Sequence, residues 1–256
     1  MKLHYQRTGQ GTPLIILHGL FGTLENWGAQ IKALAEHHDV IAVDLRNHGR
    51  SPHSMDMSYP LMAEDVIELM DDLQLSQVNL MGHSMGGKVA MQMALSYPQR
   101  IARLLLVDIA PVSYPPHHEA VFKGLFSIDL TSLTSRADAD KQLQAWVEEA
   151  GVRAFLLKNL YRNEQGQFAW RMNLDCLRSE YDAIAAAPEG PAFKGPTRFI
   201  KGGLSHYLKP EHTDAVRQRF PNADVKVIED AGHWPHAEKP ALFTRLVERF
   251  FSDTQA

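Results

Sequence analysis

One cysteine, Cys176, is the chain's whole supply, so no internal disulfide can form. That suits a reducing compartment, and the thiol reads as a small buried filler rather than a catalytic group. Long apolar runs are missing as well. Nothing approaches the roughly 18 residues a membrane helix needs, and "LIIL" is cut short by His18. The opening "MKLHYQRTGQG" has an early lysine but no apolar stretch behind it, so no secretory signal is expected. Basic charge is not in surplus: 26 Lys and Arg face 30 Asp and Glu, a net charge of −4 that leaves no footprint for nucleic acid. Apart from Glu25 and the stretch from Glu36 to Asp39, charges are scattered singly, as on a solvated surface. No repeat or low-complexity segment is evident. With 45% hydrophobic and 22% charged residues, what is left is an ordinary globular protein. It is expected in the cytoplasm, off the membrane and without an obligate protein partner.

What is there is a rhythm. "PLIIL" (Pro13 to Leu17), "DVIAVD" (Asp39 to Asp44), "QVNLMG" (Gln77 to Gly82) and "RLLLVD" (Arg103 to Asp108) are short continuous apolar runs, the mark of parallel strands covered on both faces. Between them, Tyr59 to Leu73 sets Met62, Val66, Leu69, Met70 and Leu73 on one helical face, a core stripe. "LHYQRTG" predicts an opening strand, in an antiparallel hairpin. The alternation implies a doubly wound, mostly parallel α/β sheet. It breaks after "DIAP": from Val112 to about Pro196 only helix-like segments are visible, such as "ADADKQLQAWVEEAGVRAFLLKNL". It resumes with the strand "TRFIKG", a helix through Val216, the strand "DVKVIED" and a closing helix from Pro240 to Phe251. One interrupted sheet is the simplest reading: residues 1–111 and 197–256 form the core, and 112–196 form an inserted helical lid over the sheet's carboxyl edge, where open α/β sheets bind ligands.

The strongest motif is "NLMGHSMGG". Gly82-His83-Ser84-Met85-Gly86 matches G-x-S-x-G at the point where a buried strand meets a helix running to about Tyr97. Side chains two residues either side of Ser84 would collide in so tight a turn, which explains both glycines. A serine hydroxyl is a weak nucleophile and needs a base, and the attacked carbonyl needs amide donors for its oxyanion. The N–H of Met85 is one expected donor. The other should come from "HGLFG", His18 to Gly22, through Leu20, with Phe21 as the fallback. His18 reads as a structural residue at the strand end.

"EDAGHWPHAEKP" supplies the base. His233 follows the final strand, in the chain order this architecture requires, and His236 is the alternative. The base needs an orienting carboxylate. The turn after "TRFIKG" would be its usual place, yet Ser205 stands there. Glu211 and Asp214 fall too far along the next helix, and Asp230 sits awkwardly at a strand end. Asp108, closing "RLLLVD", faces the same sheet edge as Ser84 and is the better candidate, displaced by one strand. Ser205 or His206 is then free to give a supporting hydrogen bond.

Across nearly its full length the chain resembles the α/β-hydrolase superfamily, and within it the YbfF-type bacterial esterases and related mammalian α/β-hydrolase-domain proteins. The resemblance is carried by "LHGLFGTLENW", "DLRNHGRSPHSMDMSY", "GHSMGGKVAM", "LLLVDIAPV" and "AGHWPHAEKP". It implies the α/β-hydrolase fold, a Ser84–His233–Asp108 triad with the acid on that earlier strand, no cofactor, and hydrolysis of short- to medium-chain esters, with acyl-CoA thioesters in some members. The partner is then a small-molecule ester or thioester. Asp44, Arg46 and Ser51 are expected to form one hydrogen-bonded network beside the nucleophile turn, and Lys88 to pair locally or meet solvent. Phe122, Phe126, Trp146, Phe155, Tyr161 and Trp170 read as lid core, with Phe126 also placed, alongside Phe21, Tyr114 and Trp234, among the pocket-lining candidates. Adjacent His117 and His118 are poorly spaced for a metal, and no metal is expected. Same-fold lyases and C–C hydrolases, or a ligand receptor that kept the triad, are the rival readings.

Overall fold

The computed structural model describes residues 1–252; residues 253–256, the end of the expected core, lie outside the described residues. Seven strands build one sheet: β1 (Tyr5–Thr8), β2 (Thr12–Leu17), β3 (His38–Val43), β4 (Val78–His83), β5 (Ile101–Val107) and, after an inserted segment, two strands taken up below. Continuous apolar runs form β2, β4 and β5, and most of β3, because these strands have two faces to bury, whereas edge strand β1 is mostly exposed. In β2, Leu14 and Ile16 join one hydrophobic cluster, while Ile15 and Leu17 join the other. The first cluster is capped by Trp27 and by Ile31 and Leu34 of α1 (Gly28–Leu34). The second receives Met62, Val66 and Met70 of α2 (Tyr59–Asp72) and Val89, Ala90 and Met93 of α3 (Met85–Ser96). Ser58 caps α2 by accepting the Leu61 amide, and Pro60 fits its first turn.

The segment between β5 and the next sheet strand carries α4 (Glu119–Ser127), α5 (Arg136–Leu143), α6 (Ala150–Leu157), α7 (Leu174–Ser179) and α8 (Tyr181–Ala185). It is not purely helical. β6 (Leu160–Arg162) and β7 (Phe168–Trp170) pair antiparallel, Leu160 opposite Trp170, around a turn in which Gly166 takes a φ of 77°. Three-residue strands are too short to show an alternation in sequence, which is why they were invisible there. The sheet resumes with β8 (Thr197–Gly202), then α9 (Thr213–Arg219), β9 (Ala223–Ile228), α10 (Pro235–Glu238) and α11 (Pro240–Ser252). Phe243, Val247 and Phe250 of α11 cover the first face beside α1.

The strand order is β1-β3-β2-β4-β5-β8-β9. Every pairing is parallel except β1 with β3, where Tyr5 faces Val43. The expected opening hairpin is therefore corrected: β1 skips its sequence neighbour and pairs with β3. Parallel pairing sends the loops after β2, β4, β5, β8 and β9 out of the same edge, and all of the chemistry described next lies there.

Candidate active site

Ser84 stands between β4 and α3 with φ 52° and ψ −119°, a conformation L-residues rarely hold. The crowding around it explains the motif's glycines. A Cβ on Gly82 would lie 2.2 Å from the Gly86 carbonyl oxygen, and one on Gly86 would lie 2.4 Å from that of His18. The turn points the Ser84 hydroxyl at the loop after β9, where His233 Nε2 lies 3.1 Å from Ser84 Oγ. His233 Nδ1 lies 2.7 Å from Asp108 Oδ2. A carboxylate can only accept, so Nδ1 carries the proton and Nε2 is left as the acceptor facing Ser84.

Asp108 is fully buried, with a φ of 50° that turns it from the end of β5 toward β8. Its Oδ1 accepts the Gly202 amide at 3.0 Å, and its Oδ2 also accepts the Ser205 hydroxyl. A buried carboxylate with three donors has its desolvation compensated. The other acids considered, Glu211, Asp214 and Asp230, are exposed, and Glu211 pairs with Lys209 and His212. His236 is not at the serine: it is buried, stacked on Trp27 at 4.2 Å between ring centres, and burial pushes its pKa down to about 3.

The loop after β2 is held by two neutral imidazoles. His18 Nδ1–H donates to the Gly19 carbonyl at 2.8 Å, and its Nε2 accepts the Leu45 amide at 3.0 Å. His48 Nδ1–H donates to the Arg46 carbonyl at 2.9 Å, and its Nε2 accepts the Phe21 amide at 3.2 Å. Burial lowers both pKa values, that of His48 to about 3. The Phe21 amide is thus committed and does not serve as the fallback oxyanion donor. Leu20 faces the cavity at Ser84, and the Met85 amide opens α3, where the first four N–H groups have no partner within the helix.

Several expectations need correction. Phe126 is 48% exposed and lines no cavity at the serine, because α4 turns that side outward. Tyr114 does border a cavity at Ser84, the smaller of two that meet there, with its hydroxyl tied to the Tyr207 carbonyl. Phe21 and Trp234 do line the main cavity. Phe155, read as lid core, joins them there and meets Trp234 at 5.8 Å. Arg46 leaves the Asp44 network for Asp65 of α2, 2.6 Å away. Asp44 itself accepts the Leu24 and Arg50 amides, and Ser51 donates to its carbonyl. Lys88 is 2% exposed and donates to the Ala185 and Ala186 carbonyls at 2.9 and 2.6 Å. With no carboxylate beside it, burial lowers its pKa to about 7. Cys176 is buried and accepts from Asn47 Nδ2 at 3.2 Å.

Sequence reasoning missed three neighbours of His233. Tyr207 stacks on the His233 ring at 3.9 Å and 21°. His83 Nε2–H donates to the His233 carbonyl at 2.7 Å, and burial, reinforced by His233 and His236, holds it neutral. His118 borders the site with its Nδ1 on the Tyr181 hydroxyl at 2.5 Å. Only the position of His83 inside G-x-S-x-G hinted at a role. Among the described residues no group of three or more His, Cys, Asp or Glu side chains is arranged for a metal ion, and no helix is long and apolar enough to cross a membrane.

Comparison with known proteins shows which family and fold the chain shares. A family model for the alpha/beta hydrolase fold matches residues 12–145 and 158–240. The sn-1-specific diacylglycerol lipase ABHD11 of Mus musculus is 41% identical over 248 residues, which cover 93% of this chain and 80% of that protein. Esterase YbfF of Escherichia coli strain K12 is 36% identical over 249 residues, covering 97% and 96%. A solved structure described as a marine microorganism esterase superposes with a TM-score of 0.95 at 37% identity, covering 97% of this chain and 99% of the other.

Proposed function

The chain belongs to the α/β-hydrolase fold family, and from that premise we propose that it is a serine esterase acting on short- to medium-chain carboxylic esters. The observation that carries this is the unbroken hydrogen-bond path from Ser84 Oγ through His233 to the buried carboxylate of Asp108. Relatives named esterase and lipase support the reaction class.

His233 Nε2 takes the Ser84 proton as Oγ bonds to the substrate carbonyl carbon. The amides of Leu20 and Met85 receive the developing oxyanion. As the intermediate collapses, the bond from carbon to the leaving oxygen breaks, and His233 returns its proton to that oxygen. Water then attacks the acyl-serine, giving one proton to His233 and its hydroxyl to the acyl carbon, and Ser84 regains its proton. Asp108 keeps the Nδ1–H tautomer and faces the imidazolium formed twice per cycle. Thioesters such as acyl-CoA fit the same steps, since a thiolate leaves more readily than an alkoxide. We assign residues 112–196 the part of a lid, because Val121, Phe155 and Leu156 of that segment roof the cavity above Ser84.

Purified protein assayed on p-nitrophenyl esters of graded length, alongside acyl-CoAs, is the test. Ser84→Ala is expected to abolish turnover, and Asp108→Asn to lower kcat by ~10⁴. Near-normal activity in Asp108→Asn, with loss in a Glu211 or Asp214 variant, would put the acid elsewhere.

A further inference from the structure

Two chambers meet at Ser84, and they differ more than twentyfold in size. The larger encloses about 660 Å³ and is walled by Phe21, Val121, Phe155, Trp234 and His233 itself. The smaller encloses about 30 Å³. It shares Ser84, Leu20, His118 and Tyr207 with the first, but its remaining wall is distinct, including Met85, Ile109, Tyr59, Tyr181 and Ile184. His233 does not border it.

The esterase reaction assigns one arm of the substrate to each chamber. The carbonyl carbon must sit at Ser84 Oγ and the carbonyl oxygen at the Leu20 and Met85 amides. The leaving oxygen must be within reach of His233 Nε2, which protonates it. The alcohol arm therefore extends into the chamber that contains His233. The acyl arm is left with the smaller chamber, which Ser84, Leu20 and Met85 border but His233 does not. A water-sized group needs roughly 10–15 Å³ of open cavity, so 30 Å³ receives about two or three nonhydrogen atoms.

That wall is fastened. Lys88 holds the carbonyls of Ala185 and Ala186 at the end of α8, and the Tyr59 hydroxyl donates to the carbonyl of Ile184 in the same helix. The Lys88 ammonium also lies 4.7 Å from the centre of the Tyr114 ring. Moving α8 outward to admit a longer chain would strip the buried Lys88 ammonium of the two carbonyl oxygens it donates to, an expensive loss in a site with no carboxylate to replace them.

We propose that this chain selects esters of a very short acid, acetyl or propionyl, with a bulky apolar alcohol. This rests on the esterase reading and narrows it: the medium-length chain belongs to the alcohol side. Octyl acetate and ethyl octanoate are isomers of nearly equal polarity with the long chain on opposite sides of the ester, so they separate the two arms.

Wild-type protein is expected to show a kcat/KM for octyl acetate at least tenfold above that for ethyl octanoate, the low end of the roughly 10–200-fold that one unaccommodated methylene is worth. Equal rates, or preference for ethyl octanoate, would overturn the partition while leaving the esterase reading intact. No Ser84-dependent hydrolysis of either isomer would overturn that reading and the partition with it. Ile184→Ala, which opens the small chamber, is expected to narrow the ratio by raising the rate on ethyl octanoate. An unchanged ratio in folded variant protein would remove the small chamber from the acyl role.

Discussion

Tyr207 illustrates how one side chain can matter without touching the reacting bond. Its ring lies flat on His233, and its hydroxyl meets His117 Nε2 at 2.6 Å, so the imidazole has little freedom to swing away from the line between Ser84 and Asp108. Tyr207→Phe keeps the stack and is expected to retain kcat. Tyr207→Leu loses it and is expected to lower kcat roughly two- to tenfold, matching the ~0.5–1.5 kcal/mol of an aromatic pair, with KM little changed. Steady-state kinetics on a p-nitrophenyl ester distinguish the two, and a loss confined to KM would instead mark Tyr207 as a binding residue. Nothing in "LSHYLKP" announces this, because an aromatic residue in a turn reads like any other until the turn is folded over a histidine. Ser84 and His233 were legible for the opposite reason: their chemistry demands a strand, a tight turn and a helix in fixed order. Asp108 was read from its place at the sheet edge beside Ser84, once Ser205 had disqualified its own turn, and from the resemblance that puts the acid on that strand.

At the scale of elements, the nucleophile turn depends on backbones passing closer than side chains allow. A methyl group on Gly86 would meet the carbonyl oxygens of His18 and Leu17 at 2.4 and 2.6 Å, backbone atoms at the end of β2 and the start of the loop after it that cannot rotate aside. Gly86→Ala is expected to destabilise the protein by about 1–3 kcal/mol, the range of an overpacked core site. The shift in urea midpoint measures it. Activity should fall further than stability, since relief must come from moving either α3 or the loop that carries Leu20. The central strands of the main sheet were readable because burial on two faces leaves them largely apolar. β6 and β7 were not, being three residues each, and the outward turn of Phe126 depends on the way α4 packs, which its own spacing does not reveal.

At the scale of the molecule, buried neutral histidines make the fold sensitive to acid. His48, His118 and His236 have folded-state pKa values lowered to about 3, chiefly by burial, against about 6.5 in an unfolded chain. Between those values the unfolded chain binds protons that the folded one refuses, so stability falls as pH drops from about 6.5 toward 3, by up to about 1.4 kcal/mol per pH unit for each group. Urea midpoints across that window are expected to follow this slope. His236→Phe, which keeps a ring against Trp27 and discards the titrating nitrogen, should flatten it by one group's share, and an unflattened slope would exempt His236.

The parallel sheet also gives the molecule a front and a back. Every loop that carries Ser84, Asp108, Leu20, Tyr207 or His233 leaves from one edge, while exposed Gln77 and Asn222, just before β4 and β9, mark the other. A protein anchored to a solid support through either of those two positions would hold its reactive rim toward the liquid, so orientation on a surface could be chosen without redesigning anything that binds or reacts.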